Sequence, residues 1–276
     1  MLMASIAARM FVMSSMHQSR PIQVGVVPDQ HVISQGISEK KLAHSLSAVL
    51  PAYNEEAVIE QTITTVASAL RRWADDFEII VVDDGSKDHT RDIIERLIGD
   101  EPRIRLMHHS QNRGYGAALV TGFHTVSKDL VFFMDSDGQF DINDLERFFP
   151  LIERFDAVLG YRAPRHDPWI RRLNAWGWQQ LVHLVLGIKV RDLDCAFKLY
   201  RAEFFQTLNL ETRGAMINAE ILYKFVRAGH IYTEVDVRHL PRQKGKATGA
   251  HPRVILKAMR ELISYSRKWK LSERVR

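Results

Sequence analysis

Asp135 and Asp137 stand two residues apart at the end of an apolar run, residues 130–134. Two carboxylates held together repel unless something positive neutralises them. A hard divalent cation does so well, and Mg²⁺ commonly takes one or two carboxylates together with substrate phosphates. An Asp-x-Asp pair by itself serves equally as a turn or a surface pair. The apolar run before it makes this one the tip of a buried strand, which points to a metal–phosphate site. Two more polar clusters follow apolar runs in the same way: Tyr53-Asn54-Glu55 after residues 46–50, and Asp83-Asp84 after residues 77–82.

Regular elements must bring these clusters together. Ile59, Ile63, Val66 and Leu70 recur at helical spacing after the first run, as do Ile93, Ile94 and Leu97 after the second. Ser86 is placed to cap that second helix. Residues 104–107 read as a third strand, 115–126 as a third helix and 130–134 as a fourth strand. Strands alternating with helices give βαβ units on a parallel sheet, where ligands bind beyond the carboxyl ends of the strands. All three polar clusters are expected at that edge. Gly114-Tyr115-Gly116 opening a helix invites a dinucleotide-binding reading, but Leu119 stands where the third small residue belongs. The motif also follows the third strand rather than the first. A turn bringing Arg113 and Gly114 to a ligand fits better.

In order, Pro51-Ala-Tyr-Asn-Glu-Glu, Val82-Asp-Asp-Gly-Ser, Asn112-Arg-Gly-Tyr-Gly-Ala-Ala and Asp135-Ser-Asp-Gly-Gln resemble the motifs of family 2 glycosyltransferases. Within that family they are most similar to the dolichyl- and polyprenyl-phosphate sugar synthases. The resemblance spans about residues 46–245. It implies an α/β fold of the GT-A (Rossmann-like) type: a single domain with a mostly parallel central sheet and helices on both faces. It also implies a GDP- or UDP-linked nucleotide-sugar donor, Mg²⁺ or Mn²⁺, and inversion at the anomeric carbon. By the same resemblance Pro51, Tyr53 and Glu55 hold the nucleoside, with Asp83 near the base and Asp84 beside it. Asp135 and Asp137 hold the metal, Gln139 completes the metal or phosphate shell, and Ser136 lies on the donor side. Arg162 faces the phosphates, and Arg171 corresponds to an arginine linked to the acceptor phosphate. Arg242, Lys244 and Lys246 resemble a basic loop closing over the phosphates. Cys195-Ala196 replaces a Ser-Gly pair common in relatives, and Ala247-Thr248 replaces a Ser-Lys pair.

The acceptor decides the chemistry. A polyprenyl phosphate oxygen is already anionic and needs an arginine to position it rather than a strong base. A sugar hydroxyl would need a carboxylate such as Asp192 or Asp194 to take its proton. Abundant Arg and Lys on the acceptor side favour phosphate. A soluble or polysaccharide acceptor, or a non-catalytic nucleotide-sugar-binding module, remains the alternative.

The chain has 276 residues, 46% hydrophobic and 26% charged, which excludes a disordered chain, a collagen-like fibre and a disulfide scaffold. The lone Cys195 suits a reducing compartment, and no apolar run approaches the roughly 18 residues of a membrane span. From Arg238 onward there are twelve Lys/Arg against two Asp/Glu, although the whole chain carries only +5. The body is therefore acidic and the tail basic, which suggests an anionic partner. An anionic membrane surface fits, with a membrane-protein partner also open. Nucleic acid does not, since no reading motif accompanies the charge. Residues 1–45 read as a flexible extension, 46–245 as the catalytic domain and 246–276 as a basic amphipathic helix. That helix, and the aromatic-rich stretch 169–186, either lie on lipid or pack on the domain. The expectation is a cytoplasmic, peripherally membrane-associated protein that is not secreted.

Overall fold

The computed structural model describes residues 41–163, 169–241 and 252–274. In chain order the elements begin β1 (Leu46–Ala52), α1 (Ile59–Trp73), β2 (Phe77–Asp83), α2 (Thr90–Asp100), β3 (Ile104–His108), α3 (Tyr115–Phe123) and β4 (Leu130–Met134). A 3₁₀ turn (Ile142–Phe148) and the short α4 (Phe149–Ile152) lead to β5 (Ala157–Arg162). Next come α5 (Trp169–Leu186), β6 (Phe197–Arg201), α6 (Glu203–Gln206), α7 (Ile217–Arg227), β7 (Tyr232–Val237) and α8 (Pro252–Arg274).

The described strands form one seven-stranded sheet in the order β3-β2-β1-β4-β6-β5-β7. All neighbours pair in parallel except β6, which runs antiparallel to both β4 and β5. Side chains alternate across each strand and so feed two cores. Val49, Val82, Val131 and Phe133 face α3, α5, α7 and α8. Ala48, Leu50, Val81 and Phe132 face α1, α2 and the 3₁₀ turn. Fully buried on both faces, β1, β2 and β4 read as continuous apolar runs, as parallel strands do.

Two expectations change. The second helix starts at Thr90, not behind Ser86. The Asp83 carboxylate accepts the Ser86 N–H at 3.0 Å, which turns the chain before a helix can begin. The third helix ends at Phe123 rather than Val126. Residues 169–186 form a helix as expected, with Val182 and Leu186 in the core. Trp176 is left 62% exposed, with Leu173 and Leu184 also open to solvent.

The C-terminal helix α8 buries Leu262 and Trp269 against the domain. The Trp269 ring stacks on Tyr223 of α7 at 5.2 Å, and its indole N–H donates to Glu211 at 3.0 Å. Arg260, Ile263, Arg267 and Leu271 remain on its solvent side. Among the described residues no helix is long and apolar enough to cross a membrane.

Candidate active site

The parallel register places the ends of β1, β2 and β4 on one rim: Pro51 pairs with Val82, Ala52 with Asp83, and Val49 with Phe133. Because β6 runs the other way, its start lies at that same rim, opposite the end of β4, with Met134 paired to Phe197. The residues leading into β6 include Asp192 and Asp194, so both join the rim.

The loop after β1 is held by the loop after β2. Asn54 is the one non-glycine residue at positive φ among those described, at 54°. Its N–H donates to the Ser86 hydroxyl at 2.9 Å, and its side-chain oxygen accepts the Lys87 N–H at 2.8 Å. The Glu55 N–H donates to Thr90 Oγ1 at 2.8 Å. This knit leaves the Tyr53 ring exposed at the rim while Pro51 is buried. An exposed, braced aromatic ring suits a flat ligand face.

Asp83 and Asp84 turn inward. The Asp83 side chain is fully buried, with one oxygen on the Ser86 N–H and the other 2.9 Å from His108 Nδ1. Asp84 gathers three donors: His109 Nδ1 at 2.6 Å, and the N–H groups of Arg113 at 2.9 Å and Gly114 at 2.8 Å. His109 Nδ1 faces a carboxylate and so carries a proton, and Nε2 lies 2.9 Å from the Thr121 hydroxyl. The structure thus gives Asp84 the task of clamping the 112–114 loop. Gly114 has φ 98°, and a Cβ there would meet the Arg213 carbonyl oxygen at 2.8 Å. Only glycine fits the turn that opens α3.

The third cluster splits by residue. Ser136 is buried, and its hydroxyl donates to the Pro51 carbonyl at 2.6 Å, tying the tips of β1 and β4 together. With Ser136 turned in, the half-buried Asp135 and Asp137 stand at the rim. Asp137 accepts the Gln139 N–H at 3.1 Å across Gly138, whose φ is 74°. The Gln139 side-chain nitrogen meets the Leu240 carbonyl at 3.2 Å, and its main-chain carbonyl accepts the Leu240 N–H at 2.8 Å. Gln139 therefore also pins the strand end after β7 to the rim.

Arg162 grips Asp192 in a two-pronged pair, Nε to Oδ2 at 2.7 Å and Nη2 to Oδ1 at 2.8 Å. Both are largely buried, at 13% and 6% side-chain exposure. Lys198 of β6 is completely buried, and its ammonium donates to the Leu193 carbonyl at 2.8 Å and to Asn218 at 3.3 Å. Burial pulls its pKa below the ordinary lysine value, against the raising effect of Asp194 and Asp192 nearby. His109 and Lys198 are absent from the sequence-based site. A charged residue inside the otherwise apolar 196–200 run was the available signal for Lys198.

Of the remaining expected residues, the Arg113 side chain is exposed and its N–H is bound to Asp84. The backbone of Arg171 lies in α5, and its side chain is outside the described residues, as are Arg242, Lys244 and Lys246. The donor set fits a hard divalent cation: two carboxylates, Asp135 and Asp137, stand side by side at an open rim. Among the described residues no three His, Cys, Asp or Glu side chains converge to hold a metal alone. A cation here would draw the rest of its shell from a bound diphosphate and water.

Comparisons with known proteins identify the family and the fold. Residues 47–208 match the family described as Glycosyl transferase family 2. The chain is 34% identical over 210 residues to the glycosyltransferase AglD of Haloferax volcanii, covering 71% of this chain and 33% of that protein. It is 31% identical over 180 residues to the dodecaprenyl-phosphate galacturonate synthase of Rhizobium johnstonii, covering 64% of this chain and 53% of that one. The undecaprenyl-phosphate mannosyltransferase of Micrococcus luteus is 24% identical over 210 residues, covering 72% and 85%. The chain thus spans between a third and about three fifths of the length of the first relatives it matches. In fold it is similar to glucosyl-3-phosphoglycerate synthase from Mycobacterium tuberculosis, solved with Mn²⁺, uridine-diphosphate and phosphoglyceric acid. The TM-score is 0.63 at 22% identity, over 81% of this chain and 79% of that one. On the matched residues, the chain belongs to glycosyl transferase family 2.

Proposed function

We propose that this chain is the catalytic domain of an inverting, metal-dependent glycosyltransferase. It moves a sugar from a GDP- or UDP-linked donor to a polyprenyl or dolichyl phosphate at an anionic membrane surface. The observation that carries the acceptor assignment is the Arg162–Asp192 pair. A hydroxyl acceptor needs a base, and of the two carboxylates placed for it, Asp192 and Asp194, the first is neutralised on both oxygens by a guanidinium, which favours a phosphate. A phosphate acceptor needs none. Relatives named as polyprenyl-phosphate sugar transferases support the same reading.

Asp135 and Asp137 would hold Mg²⁺ or Mn²⁺, which supplies charge neutralisation for the departing nucleoside diphosphate. The chain's own residues do the positioning. Tyr53 offers its ring to the nucleoside, and the loop after β1 is stiffened by Ser86, Lys87 and Thr90. Arg162, fixed by Asp192, directs the positive potential of its guanidinium towards the phosphates. Gln139 holds the strand end after β7 beside the metal-binding carboxylates. Attack from the face opposite the leaving group inverts the anomeric centre.

The test is a screen of labelled GDP- and UDP-sugars with polyprenyl phosphate and either Mg²⁺ or Mn²⁺, followed by butanol extraction. Label moving into butanol, dependent on both lipid and metal, is the expected result. Label transferred only to water-soluble acceptors would refute the lipid assignment.

A further inference from the structure

Lys198 carries a buried charge that the steps proposed above leave without a task. It stands in β6, between the strand that delivers Asp135 and the strand that delivers Arg162, opposite Phe133 of β4 and Leu159 of β5. Only 1% of the residue is exposed. An ammonium this deep costs free energy that a neutral side chain would not, so lysine is seldom fully buried. Its donors go to two neutral oxygens, the Leu193 carbonyl at 2.8 Å and Asn218 Oδ1 at 3.3 Å. The Phe133 ring lies beneath the ammonium, with its centroid 5.7 Å away. Asn218 belongs to the first turn of α7 and is itself buried. Lys198 thus ties the turn leading into β6 to both β4 and α7.

We infer that Lys198 is a positioning residue for Arg162: by holding the Leu193 carbonyl it sets the turn whose Asp192 grips that guanidinium with both oxygens. The inference rests on the phosphate-facing role proposed above for Arg162. Three contacts fix the turn along its length. The Arg191 N–H donates to Glu234 at 2.7 Å, Lys198 holds Leu193, and the Cys195 N–H donates to the Asp192 carbonyl at 3.3 Å. The outer two use main-chain N–H groups, whereas the ionised donor, which makes the stronger bond, holds the centre. Leu193 follows Asp192 directly, so a shift of its carbonyl moves the Asp192 backbone with it. The Arg162 contacts of 2.7 and 2.8 Å are a fit that a shift of about 1 Å undoes.

Lys198→Met keeps a long side chain and removes the donor; Lys198→Gln, which keeps a donor without the charge, stands in if the first variant does not fold. The variant is made alone and together with Arg162→Lys. Turnover and donor KM are measured with the nucleotide-sugar, metal and polyprenyl phosphate that the screen above selects. Hydrogen exchange of residues 191–196, followed by mass spectrometry, reads the turn without reference to activity. The expected result is kcat lowered about tenfold or more, with donor KM unchanged and faster exchange confined to 191–196. Because Lys198 acts through Arg162, the double variant should stay within about twofold of Arg162→Lys alone. A merely structural lysine gives losses that multiply and faster exchange throughout the core, and either result overturns the inference. Wild-type kcat or unchanged exchange in 191–196 overturns it too, and so does failure of both variants to fold. If the wild-type chain transfers no sugar to polyprenyl phosphate, the acceptor reading above fails, and exchange in 191–196 alone then decides whether Lys198 holds the turn.

Discussion

Changing Asp84 to Asn separates a clamp from a ligand contact, because the two roles predict opposite losses. Asp84 is 3% exposed and receives hydrogen bonds of 2.6, 2.9 and 2.8 Å from His109, Arg113 and Gly114. Asn offers one oxygen in place of two, and its NH₂ group then opposes an N–H. At least one charge-assisted bond worth about 1.5–3 kcal/mol disappears, and a buried donor left without a partner adds about 1–3 kcal/mol. The sum is about 2.5–6 kcal/mol. In a domain of this size about 1 kcal/mol moves Tm by about 2–4 °C, so Asp84→Asn should melt about 10 °C lower. Urea denaturation of the single variants and of Asp84→Asn with His109→Asn completes a double-mutant cycle. Coupling of about 1–3 kcal/mol is expected because the side chains touch. A melting point within about 2 °C of wild type, together with weakened nucleotide binding, would refute the clamp and make Asp84 a donor contact.

Asp135→Asn and Asp137→Asn should each remove most metal-dependent turnover while leaving Tm near wild type; undiminished turnover in both with EDTA present would exclude the metal role. Arg162→Lys keeps the charge but loses the two-pronged grip on Asp192, so kcat should fall by tenfold or more, about 1.4 kcal/mol, with nucleotide affinity little changed in equilibrium binding. Arg103 first, with Arg71, holds Glu101 down to about 2. Its folded pKa lies below the unfolded one, so its contribution is full above about pH 5 and fades as pH falls towards 2. Because both arginines are about half-exposed, that contribution is screened to about 1 kcal/mol, and Arg103→Ala should flatten this part of the stability curve in urea melts at pH 6 and 3. For membrane attachment, Arg260→Gln with Arg267→Gln removes two exposed charges worth about 1 kcal/mol each at an anionic leaflet, so sedimentation with anionic vesicles at low salt should weaken about thirtyfold; unchanged sedimentation would clear α8 of that role.

The βαβ alternation was legible because each strand is buried on both faces and reads as an unbroken apolar run, from residues 46–50 to 130–134. The direction of β6 was not. A period of two is the same for parallel and antiparallel strands, and the 197–201 run carries no mark of the reversal. Yet that reversal is what brings Asp192 to Arg162, thirty positions earlier. The C-terminal helix shows a similar blindness. The spacing of Leu262 and Trp269 suits a lipid surface and a protein surface equally, and only Tyr223 and Glu211 decide for the domain.

The acidic clusters make the same point about chemistry. By residue type, Asp83, Asp84, Asp135, Asp137 and Asp192 are one kind of group converging on one rim. The fold sorts them by partner. Two are drawn inward, Asp83 by Ser86 and His108 and Asp84 by His109 and two backbone N–H groups. Backbone donors leave no trace in a sequence, so a clamp and a ligand contact look alike there. Asp192 is matched by Arg162, and the buried Lys198 braces the loop that carries it through the Leu193 carbonyl. Asp135 and Asp137 keep their half-exposed place because Ser136 between them turns inward to Pro51. Repulsion among the five is thereby relieved to different degrees by internal donors, the Gln139 N–H on Asp137 among them. On the proposed metal role, the more open Asp135 and Asp137 form the part of the rim where a cation and the phosphates it carries would lower the energy most.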